Sequence, residues 1–122
     1  MLNKFRYILK RRFSRFVEGN DDIDMKQLEE LGEKGAVILD VRSPQEYEEG
    51  HLNGAILIPE YELEDRAEKE LINKENTIVV YCSSGIRSKR AQEILKQLGY
   101  INVYNLYNGL ENYWDFYVCM LK

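Results

Sequence analysis

The residues best suited to chemistry lie in one short segment, YCSSGIRS at positions 81–88. The pattern predicts that a buried strand ends at Cys82, that small residues form a tight turn, and that a helix begins near Ser88. In that geometry backbone N–H groups and the helix dipole point at the sulfur, and Arg87 adds positive charge, so a thiolate is favoured. A thiolate held in this way is a nucleophile, and the segment therefore predicts covalent catalysis at Cys82.

The elements that must position this cysteine alternate between strands and helices along the chain. Apolar, β-branched runs predict strands over residues 36–41, 55–58, 77–81 and 103–106. Helical spacing and caps predict helices over residues 25–31, 43–49, 63–72, 88–99 and 110–114. Such alternation is typical of an α/β fold with a parallel sheet covered on both faces, whose active sites lie beyond the carboxyl ends of the strands. Asp40, Arg42 and Cys82 all lie near such ends.

Four motifs occur in this order: VILDVR at 37–42, EY at 46–47, GHLNGA at 50–55 with IP at 58–59, and the cysteine loop at 82–87. Together they resemble the rhodanese homology domain, and the resemblance extends over residues 23–114. It implies a rhodanese-like α/β fold with a central parallel sheet of about five strands flanked by helices on both faces. It also implies a thiosulfate sulfurtransferase, with Cys82 as the catalytic residue inside a loop of backbone amides.

The reaction that this resemblance implies has two steps and needs no cofactor. Cys82 attacks the outer sulfur of thiosulfate or a similar donor, sulfite leaves, and a persulfide remains on the cysteine. Cyanide, a small thiol or an acceptor protein then removes the sulfur. Arg87 is expected to pair with the oxyanions of the donor. The other predicted binding residues are those of the loop: Ser83, Ser84, Gly85, Ile86 and Ser88.

Residues outside the loop are expected to support the site rather than to react. Asp40 and Arg42 are predicted to form an ion pair that orders the loop above the sheet, and His51 is predicted to fix its own loop by a hydrogen bond. Because the body of the chain is acidic, an anionic donor needs a locally positive mouth. Basic side chains that can supply it are Arg42, Arg66, Arg87, Lys89 and Arg90.

Charge divides the chain into two parts. Residues 1–17 hold six basic and no acidic residues, and because the whole chain has a net charge of −4, the remainder carries −10. Residues 1–20 are predicted to form a basic amphipathic helix and linker, and residues 21–122 one rhodanese-like domain. The helix is expected to pack on the domain's own surface or against a second copy of the chain, with peripheral membrane contact through residues 1–17 as the less favoured alternative.

Composition excludes several classes of function. One histidine and two cysteines are too few for a multi-ligand metal site or a disulfide framework, so no metal is expected. An acidic body is a poor binder of nucleic acid. No apolar run reaches the about 20 residues of a membrane helix and no signal peptide is recognisable, which predicts a cytoplasmic location. Cys119, in the aromatic C-terminal segment, is expected to be a packed side chain rather than a second reactive thiol.

Two other functions are compatible with this fold. Arsenate reductases and protein phosphatases of related fold usually have about five residues between cysteine and arginine, which make room for a tetrahedral oxyanion. Here only four residues separate Cys82 from Arg87, and the shorter loop favours a single bound sulfur. A non-catalytic binding module is the second alternative, and it is disfavoured because such domains typically lack the cysteine.

Two positions depart from the family pattern. Asn53 replaces a frequent proline, and Asn108 with Gly109 stands where two adjacent glycines are common. The second change is mild, because asparagine tolerates a positive φ. Neither departure is expected to affect the chemistry.

Overall fold

The computed structural model describes residues 21–113. Within this range five strands, four α-helices and two 3₁₀-helices follow one another along the chain. The predicted helix and linker of residues 1–20, the end of the predicted closing helix, and Cys119 lie outside the described residues. The longest described helix has 12 residues, and none of the helices within residues 21–113 combines the length and apolarity of a membrane span.

The predicted elements are present, with ends shifted by at most two residues. The strands are β1 (Asp22–Ile23), β2 (Val37–Asp40), β3 (Ile56–Leu57), β4 (Thr77–Tyr81) and β5 (Asn102–Leu106). The α-helices are α1 (Met25–Glu33), α2 (Pro44–Glu49), α3 (Leu63–Glu70) and α4 (Ile86–Gln97). The 3₁₀-helices are Glu60–Glu62, before α3, and Leu110–Tyr113, which is the described part of the predicted closing helix.

All five strands form one parallel sheet in the order β1-β5-β4-β2-β3. The sequence did not predict β1, which has two residues and pairs with β5 through Asp22 opposite Asn105 and Ile23 opposite Leu106. A strand this short has no repeating apolar pattern, so only its partner strand reveals it. With β1 included, the predicted rhodanese-like sheet of five parallel strands is confirmed.

Side chains along β4 alternate between the two faces of the sheet. On one face Ile78, Val80 and Cys82 are buried in a cluster with side chains of α3 and α4. On the other face Val79 and Tyr81 are buried in a cluster with side chains of α1. Helices therefore cover both faces, as predicted, and each fully buried valine or isoleucine of β4 contributes about 1.5–3 kcal/mol to the core.

The carboxyl ends of β2 and β4 meet at one edge of the sheet, because Asp40 lies opposite Tyr81 in the parallel register. Val41 N donates to the Tyr81 carbonyl oxygen at 3.1 Å and continues this pairing beyond β2. The segments that follow the two strands, one starting at Val41 and the other at Cys82, therefore begin side by side. Both segments therefore lie at this edge of the sheet, and both belong to the motifs identified in the sequence.

Helix α4 begins two residues earlier than predicted, at Ile86 rather than near Ser88. Gly85 is the residue before the helix and has a φ of +97°, in the left-handed region that glycine adopts without strain. Lys89 N donates to the Gly85 carbonyl oxygen at 3.2 Å and closes the first helical turn. The chain thus passes from strand to helix within a few residues, which brings the cysteine close to the first turn of the helix.

Candidate active site

Cys82 lies directly after β4, at the start of the loop formed by residues 82–87, and only 1% of it is exposed. Its Sγ accepts hydrogen bonds from the backbone N–H groups of Gly85 at 3.1 Å and Ser88 at 3.3 Å. The thiol donates to Ser88 Oγ at 3.4 Å, and the Ser88 hydroxyl donates to the Gly85 carbonyl oxygen at 3.2 Å. The sulfur is therefore surrounded by groups that can stabilise a negative charge.

The sulfur also takes the place of a helix N-cap. The N–H groups in the first turn of a helix lack partners within the helix, and the side chain of the N-cap residue normally accepts one of them. The N-cap of α4 is Gly85, which has no side chain, and the N–H of Ser88 at the third helical position donates to Cys82 Sγ instead. The sulfur thus lies at the positive end of the α4 dipole, where an anion is favoured.

A second loop, between β5 and the 3₁₀-helix Leu110–Tyr113, holds the cysteine loop in place. Leu110 N donates to the Cys82 carbonyl oxygen at 2.8 Å, and Glu111 N donates to the Ser83 carbonyl oxygen at 2.9 Å. These two bonds extend the backbone pairing of the strands into the loop that begins at Cys82. The position of the Cys82 backbone is therefore determined by a segment nearly 30 residues further along the chain.

The turn in this second loop requires two residues with positive φ. Asn108 has a φ of 61° and Gly109 a φ of 73°. Asparagine and glycine both adopt left-handed backbone conformations, so Asn108 keeps the geometry of the glycine that is common in the family at this position. The departure from the family pattern thus leaves the turn intact.

A methyl group at Gly109 would collide with the cysteine loop. A Cβ there would lie 2.3 Å from the Ser83 carbonyl oxygen and 2.6 Å from Ser84 N. Both contacts are to backbone atoms, so Gly109→Ala is expected to displace the loop and to lower the free energy of unfolding by about 1–3 kcal/mol beyond the backbone strain, as measured by urea denaturation. Gly35→Ala is the matched control, because Gly35 has a φ of +100° and nothing within 4 Å of such a Cβ. Equal losses in both variants would contradict a role for the loop contact.

Arg87 lies on the first turn of α4, whereas the sequence pattern placed it at the end of the loop before the helix, and its guanidinium group pairs with a carboxylate. Arg87 Nη1 donates to Glu46 Oε1 at 2.8 Å, and Nη2 donates to Oε2 at 3.0 Å. Ser83 Oγ donates to the same Oε2 at 3.2 Å. Glu46 therefore connects both ends of the loop to α2. Of the remaining loop residues predicted to bind substrate, Ser84 and Ile86 are exposed.

Glu46 contacts the site, yet no role beyond its place in the EY motif was predicted for it from the sequence. Ser43 N donates to Glu46 Oε1 at 2.9 Å, and Glu46 N donates to Ser43 Oγ at 3.2 Å, which is a capping box at the start of α2. The hydrogen bonds from Arg87 lower the pKa of Glu46 to about 2, with a further lowering by those from Ser43, although partial burial opposes the shift. The spacing of Ser43 and Glu46 signals the capping box, but no local pattern signals the pairing with Arg87.

The structure differs from the expectation of a positive mouth. Each basic side chain assigned to the mouth has a carboxylate partner: Arg42 with Asp40, Arg66 with Glu62 and Glu70, Arg87 with Glu46, Lys89 with Asp22, and Arg90 with Glu60. Arg42 is also buried, with 5% of its side chain exposed. Folding brings acidic residues of other elements onto Arg87, Lys89 and Arg90. Arg42 and Arg66 pair with carboxylates two and four positions away in the chain. Surface pairs of this kind add little stability, but they cancel charge locally.

The predicted ion pair between Asp40 and Arg42 is present and buried. Arg42 Nε donates to Asp40 Oδ1 at 3.0 Å, and Arg42 Nη2 donates to Oδ2 at 2.7 Å. Arg42 Nη2 also donates to the Gly50 carbonyl oxygen at 2.7 Å. Because Gly50 ends α2, the pair ties that helix to the end of β2.

Tyr81 extends this network to the residue just before Cys82. Its hydroxyl donates to Asp40 Oδ2 at 2.7 Å and accepts a hydrogen bond from Leu52 N at 3.0 Å. Burial, together with the Asp40 carboxylate, raises the pKa of Tyr81 above its ordinary value, so the hydroxyl stays a donor. The Tyr81 side chain lies on the face of the sheet opposite to that of Cys82. Asp40, Arg42 and Tyr81 therefore hold the end of β4 in position without contacting the sulfur.

His51 contacts Tyr47 of α2 and thereby anchors its own loop, in line with the loop-fixing role expected of it. His51 Nδ1 lies 2.8 Å from the Tyr47 carbonyl oxygen, and the two rings stack with centroids 3.5 Å apart and an interplanar angle of 4°. The Tyr47 hydroxyl donates to the Ala55 carbonyl oxygen at 2.6 Å. These contacts hold residues 50–55 against α2, and none of them involves Cys82.

A cavity of about 280 Å³ lies beside the cysteine loop. Its walls are formed by Arg42, Glu46, Glu49, Gly50, Ser83, Leu110 and Glu111. The cavity is near the lower end of the size range of small-molecule sites. Because three of its lining residues are glutamates and its arginine is paired, the space next to the loop is not positively charged.

Comparison with known proteins agrees with the fold and the motifs. The sequence matches the Rhodanese-like domain family over residues 24–115. Among solved structures, the human single-domain sulfurtransferase TSTD1 superposes with a TM-score of 0.70 at 26% sequence identity, over 79% of this chain and 96% of that chain.

Two curated relatives have different names. The chain is 42% identical over 67 residues to thiosulfate sulfurtransferase PspE of Escherichia coli, which covers 55% of this chain and 64% of PspE. It is 34% identical over 87 residues to a tRNA uridine(34) hydroxylase of Erwinia tasmaniensis, which covers 68% of this chain and 25% of that protein. The match thus spans less than two thirds of the length of either relative.

Proposed function

The chain belongs to the rhodanese-like family, and from this membership we propose that it is a sulfurtransferase that carries a sulfur atom as a persulfide on Cys82. The observation that carries the proposal is the position of Sγ, which accepts the N–H groups of Gly85 and Ser88 at the start of α4. Similarity to a thiosulfate sulfurtransferase and to a single-domain sulfurtransferase supports this class of reaction.

In the first step the Cys82 thiolate attacks the outer sulfur of thiosulfate. A bond forms between the two sulfur atoms, the sulfur–sulfur bond of the donor breaks, and its electron pair leaves with sulfite. The negative charge moves to the outer sulfur of the persulfide, about 2 Å from Sγ. The positive end of the α4 dipole and the backbone N–H groups of the loop stabilise this charge.

In the second step an acceptor attacks the outer sulfur of the persulfide. With cyanide the products are thiocyanate and the Cys82 thiolate, and with a thiolate acceptor they are a new persulfide and the same Cys82 thiolate. The enzyme returns to its starting state after each transfer, which predicts ping-pong kinetics.

The size of the loop supports sulfur transfer over phosphate chemistry. Only four residues lie between Cys82 and Arg87. The N–H groups of Gly85 and Ser88 donate to Sγ itself, so they are not arranged around a larger anion above the sulfur. A single additional sulfur atom is smaller than a tetrahedral phosphate group and therefore needs less space in this loop.

Intact mass spectrometry after thiosulfate treatment tests the proposal. The protein is expected to gain one sulfur atom that maps to Cys82 and is removed by cyanide or dithiothreitol, and to hydrolyse an aryl phosphate at a negligible rate. An adduct on Cys119 would contradict the assignment of Cys82. No adduct with any sulfane donor would favour the non-catalytic binding module, and faster phosphate hydrolysis than sulfur transfer would favour a phosphatase.

Arg87 is proposed to contact the sulfur donor, and its removal should slow the first step. Arg87→Ala removes the guanidinium group and leaves the Glu46 carboxylate without its partner beside the loop. We expect kcat/KM for thiosulfate to fall by about 10- to 150-fold, which corresponds to about 1.5–3 kcal/mol. Lys96→Ala is the matched control, because Lys96 lies near the other end of the same helix and pairs with Asp21 instead. Unchanged kinetics in folded Arg87→Ala would remove Arg87 from the site.

A further inference from the structure

The guanidinium group of Arg87, the last residue of the cysteine loop, is already paired with a carboxylate. Both terminal nitrogens of Arg87 donate to the Glu46 carboxylate, at 2.8 and 3.0 Å, in the two-pronged geometry that makes arginine–carboxylate pairs strong. The same carboxylate accepts the Ser83 hydroxyl at 3.2 Å. One acidic side chain thus contacts the residue after Cys82 and the last residue of the loop.

Glu46 is held firmly in this position. Its Oε1 accepts hydrogen bonds from Ser43 N at 2.9 Å and Ser43 Oγ at 3.1 Å, so the side chain is tied to the first turn of α2 as well as to the loop. Its pKa lies at about 2, chiefly because of the hydrogen bonds from Arg87. The carboxylate therefore stays ionised at any pH at which the reaction is assayed.

Among residues 21–113, the pair leaves the mouth of the loop without net positive charge. Arg87 and Glu46 cancel each other, and Arg42, Arg66, Lys89 and Arg90 are also paired with carboxylates. The adjoining cavity adds Glu49 and Glu111 to its walls. A dianion that approaches Cys82 therefore meets a carboxylate next to the guanidinium group of Arg87, and gains little attraction from the pair as a whole.

We propose that Glu46 is a specificity-determining residue, which neutralises Arg87 and so makes the Cys82 loop favour sulfane donors of low charge over the thiosulfate dianion. The inference rests on the proposed function and names the class of donor for the same site. Low-charge donors of this class carry their transferable sulfur on an organic group, such as a persulfide or a thiosulfonate. Glu46 acts through Arg87 and through the local charge and takes no part in bond making.

Two probe donors separate the effect of donor charge from the effect of the reaction itself, because both deliver their outer sulfur to Cys82 but differ in charge. Thiosulfate is a dianion and releases sulfite, whereas benzenethiosulfonate is a monoanion and releases benzenesulfinate. In each case the donor's sulfur–sulfur bond breaks, its electron pair leaves with the sulfur oxyanion, and the charge of the reactants equals that of the products. Cyanide serves as the acceptor for both, so the second step is the same.

The experiment compares the full chain with Glu46→Gln, which removes one negative charge and preserves the size of the side chain. The ratio of kcat/KM for thiosulfate to kcat/KM for benzenethiosulfonate is expected to rise about fivefold or more in Glu46→Gln, because the guanidinium charge is then uncompensated. The matched control is Glu93→Gln, which makes the same change in net charge at an exposed residue of α4. In that variant the ratio should stay at the wild-type value.

Ionic strength supplies a second readout, which needs no variant. In the wild type, kcat/KM for thiosulfate should not fall as salt rises from about 20 to 300 mM, because the described residues around the loop present no net positive charge to screen. In Glu46→Gln it should fall. A steep fall in the wild type would overturn the inference even if the variant does not fold.

The remaining outcomes are also decisive. An unchanged ratio in folded Glu46→Gln, or an equal loss of kcat/KM for both donors, would show that Glu46 only orients Arg87 and would overturn the proposed specificity. Failure of the proposed function looks different, since the wild type would then form no persulfide at Cys82 with either donor in the intact mass.

Discussion

Replacing Cys82 with serine is expected to abolish sulfur transfer and to leave the fold in place. A serine hydroxyl can accept hydrogen bonds from the N–H groups of Gly85 and Ser88, as Sγ does. Oxygen, however, stays protonated at neutral pH and cannot form the sulfur–sulfur bond that stores the transferred atom. Thiocyanate formation from thiosulfate and cyanide should therefore fall by at least about 10³-fold.

The matched control for this variant is Cys119→Ser, which removes the other thiol of the chain. It should retain wild-type turnover and still gain one sulfur atom in the intact mass. Thermal unfolding of Cys82→Ser should follow the wild type closely, which separates loss of chemistry from loss of fold. Substantial turnover by Cys82→Ser, or loss of turnover in Cys119→Ser, would show that the sulfur is carried elsewhere.

Replacing Asp40 with alanine is expected to have the largest effect on stability. The Asp40 carboxylate accepts hydrogen bonds from Arg42 and from the Tyr81 hydroxyl, and its loss leaves the Arg42 guanidinium group buried without a counter-charge. Breaking a buried ion pair by removing one partner costs about 3–5 kcal/mol. Urea denaturation of Asp40→Ala should show this loss as a lower midpoint with an unchanged slope.

A double-mutant cycle shows whether the cost comes from the stranded charge. Asp40→Ala combined with Arg42→Met removes both charges, so the double variant is expected to be more stable than Asp40→Ala alone. If Asp40→Ala fails to fold, Asp40→Asn keeps the shape of the side chain and supplies the measurement with a smaller loss. A double variant less stable than Asp40→Ala would mean that hydrogen bonds to Tyr81 and Gly50, rather than the pairing of charges, hold the network together.

The same network connects stability to function. Tyr81 precedes Cys82, and its hydroxyl is held by Asp40 and by Leu52 N. A variant that loosens Asp40 therefore moves the end of β4 and, with it, the start of the cysteine loop. If turnover in Asp40→Asn falls by more than the fraction of folded protein does, the additional loss measures how much the Asp40 carboxylate contributes to positioning the cysteine loop.

Local patterns in the sequence were sufficient to predict four of the five described strands and the α-helices, and to place Cys82 directly after a buried strand. The run of residues 77–81 is apolar throughout, which is typical of a strand buried on both faces, and the observed β4 has the same bounds. Ser43 before Pro44 signals the start of α2, and the structure shows Ser43 as its N-cap. These features depend on residues within a few positions of one another, and therefore they can be recognised without knowledge of the fold.

The features that the sequence did not predict depend on residues far apart in the chain. Strand β1 exists only because β5 pairs with it, and the partner of Arg87 is 41 residues away on α2. The order of strands in the sheet decides which loops and helices meet at its carboxyl edge, and the order is not encoded in local periodicity.

The electrostatic environment of Cys82 shows most clearly which features local sequence determines and which depend on the tertiary structure. The sequence by itself determined that a cysteine and an arginine flank a short loop between a strand and a helix. Only the tertiary structure decided that Glu46 neutralises that arginine and that the Tyr81 hydroxyl joins the predicted pair of Asp40 and Arg42 at the end of β4. The physical reason is that charges act through space, so the field at Cys82 depends on which side chains folding brings within a few ångströms of the loop.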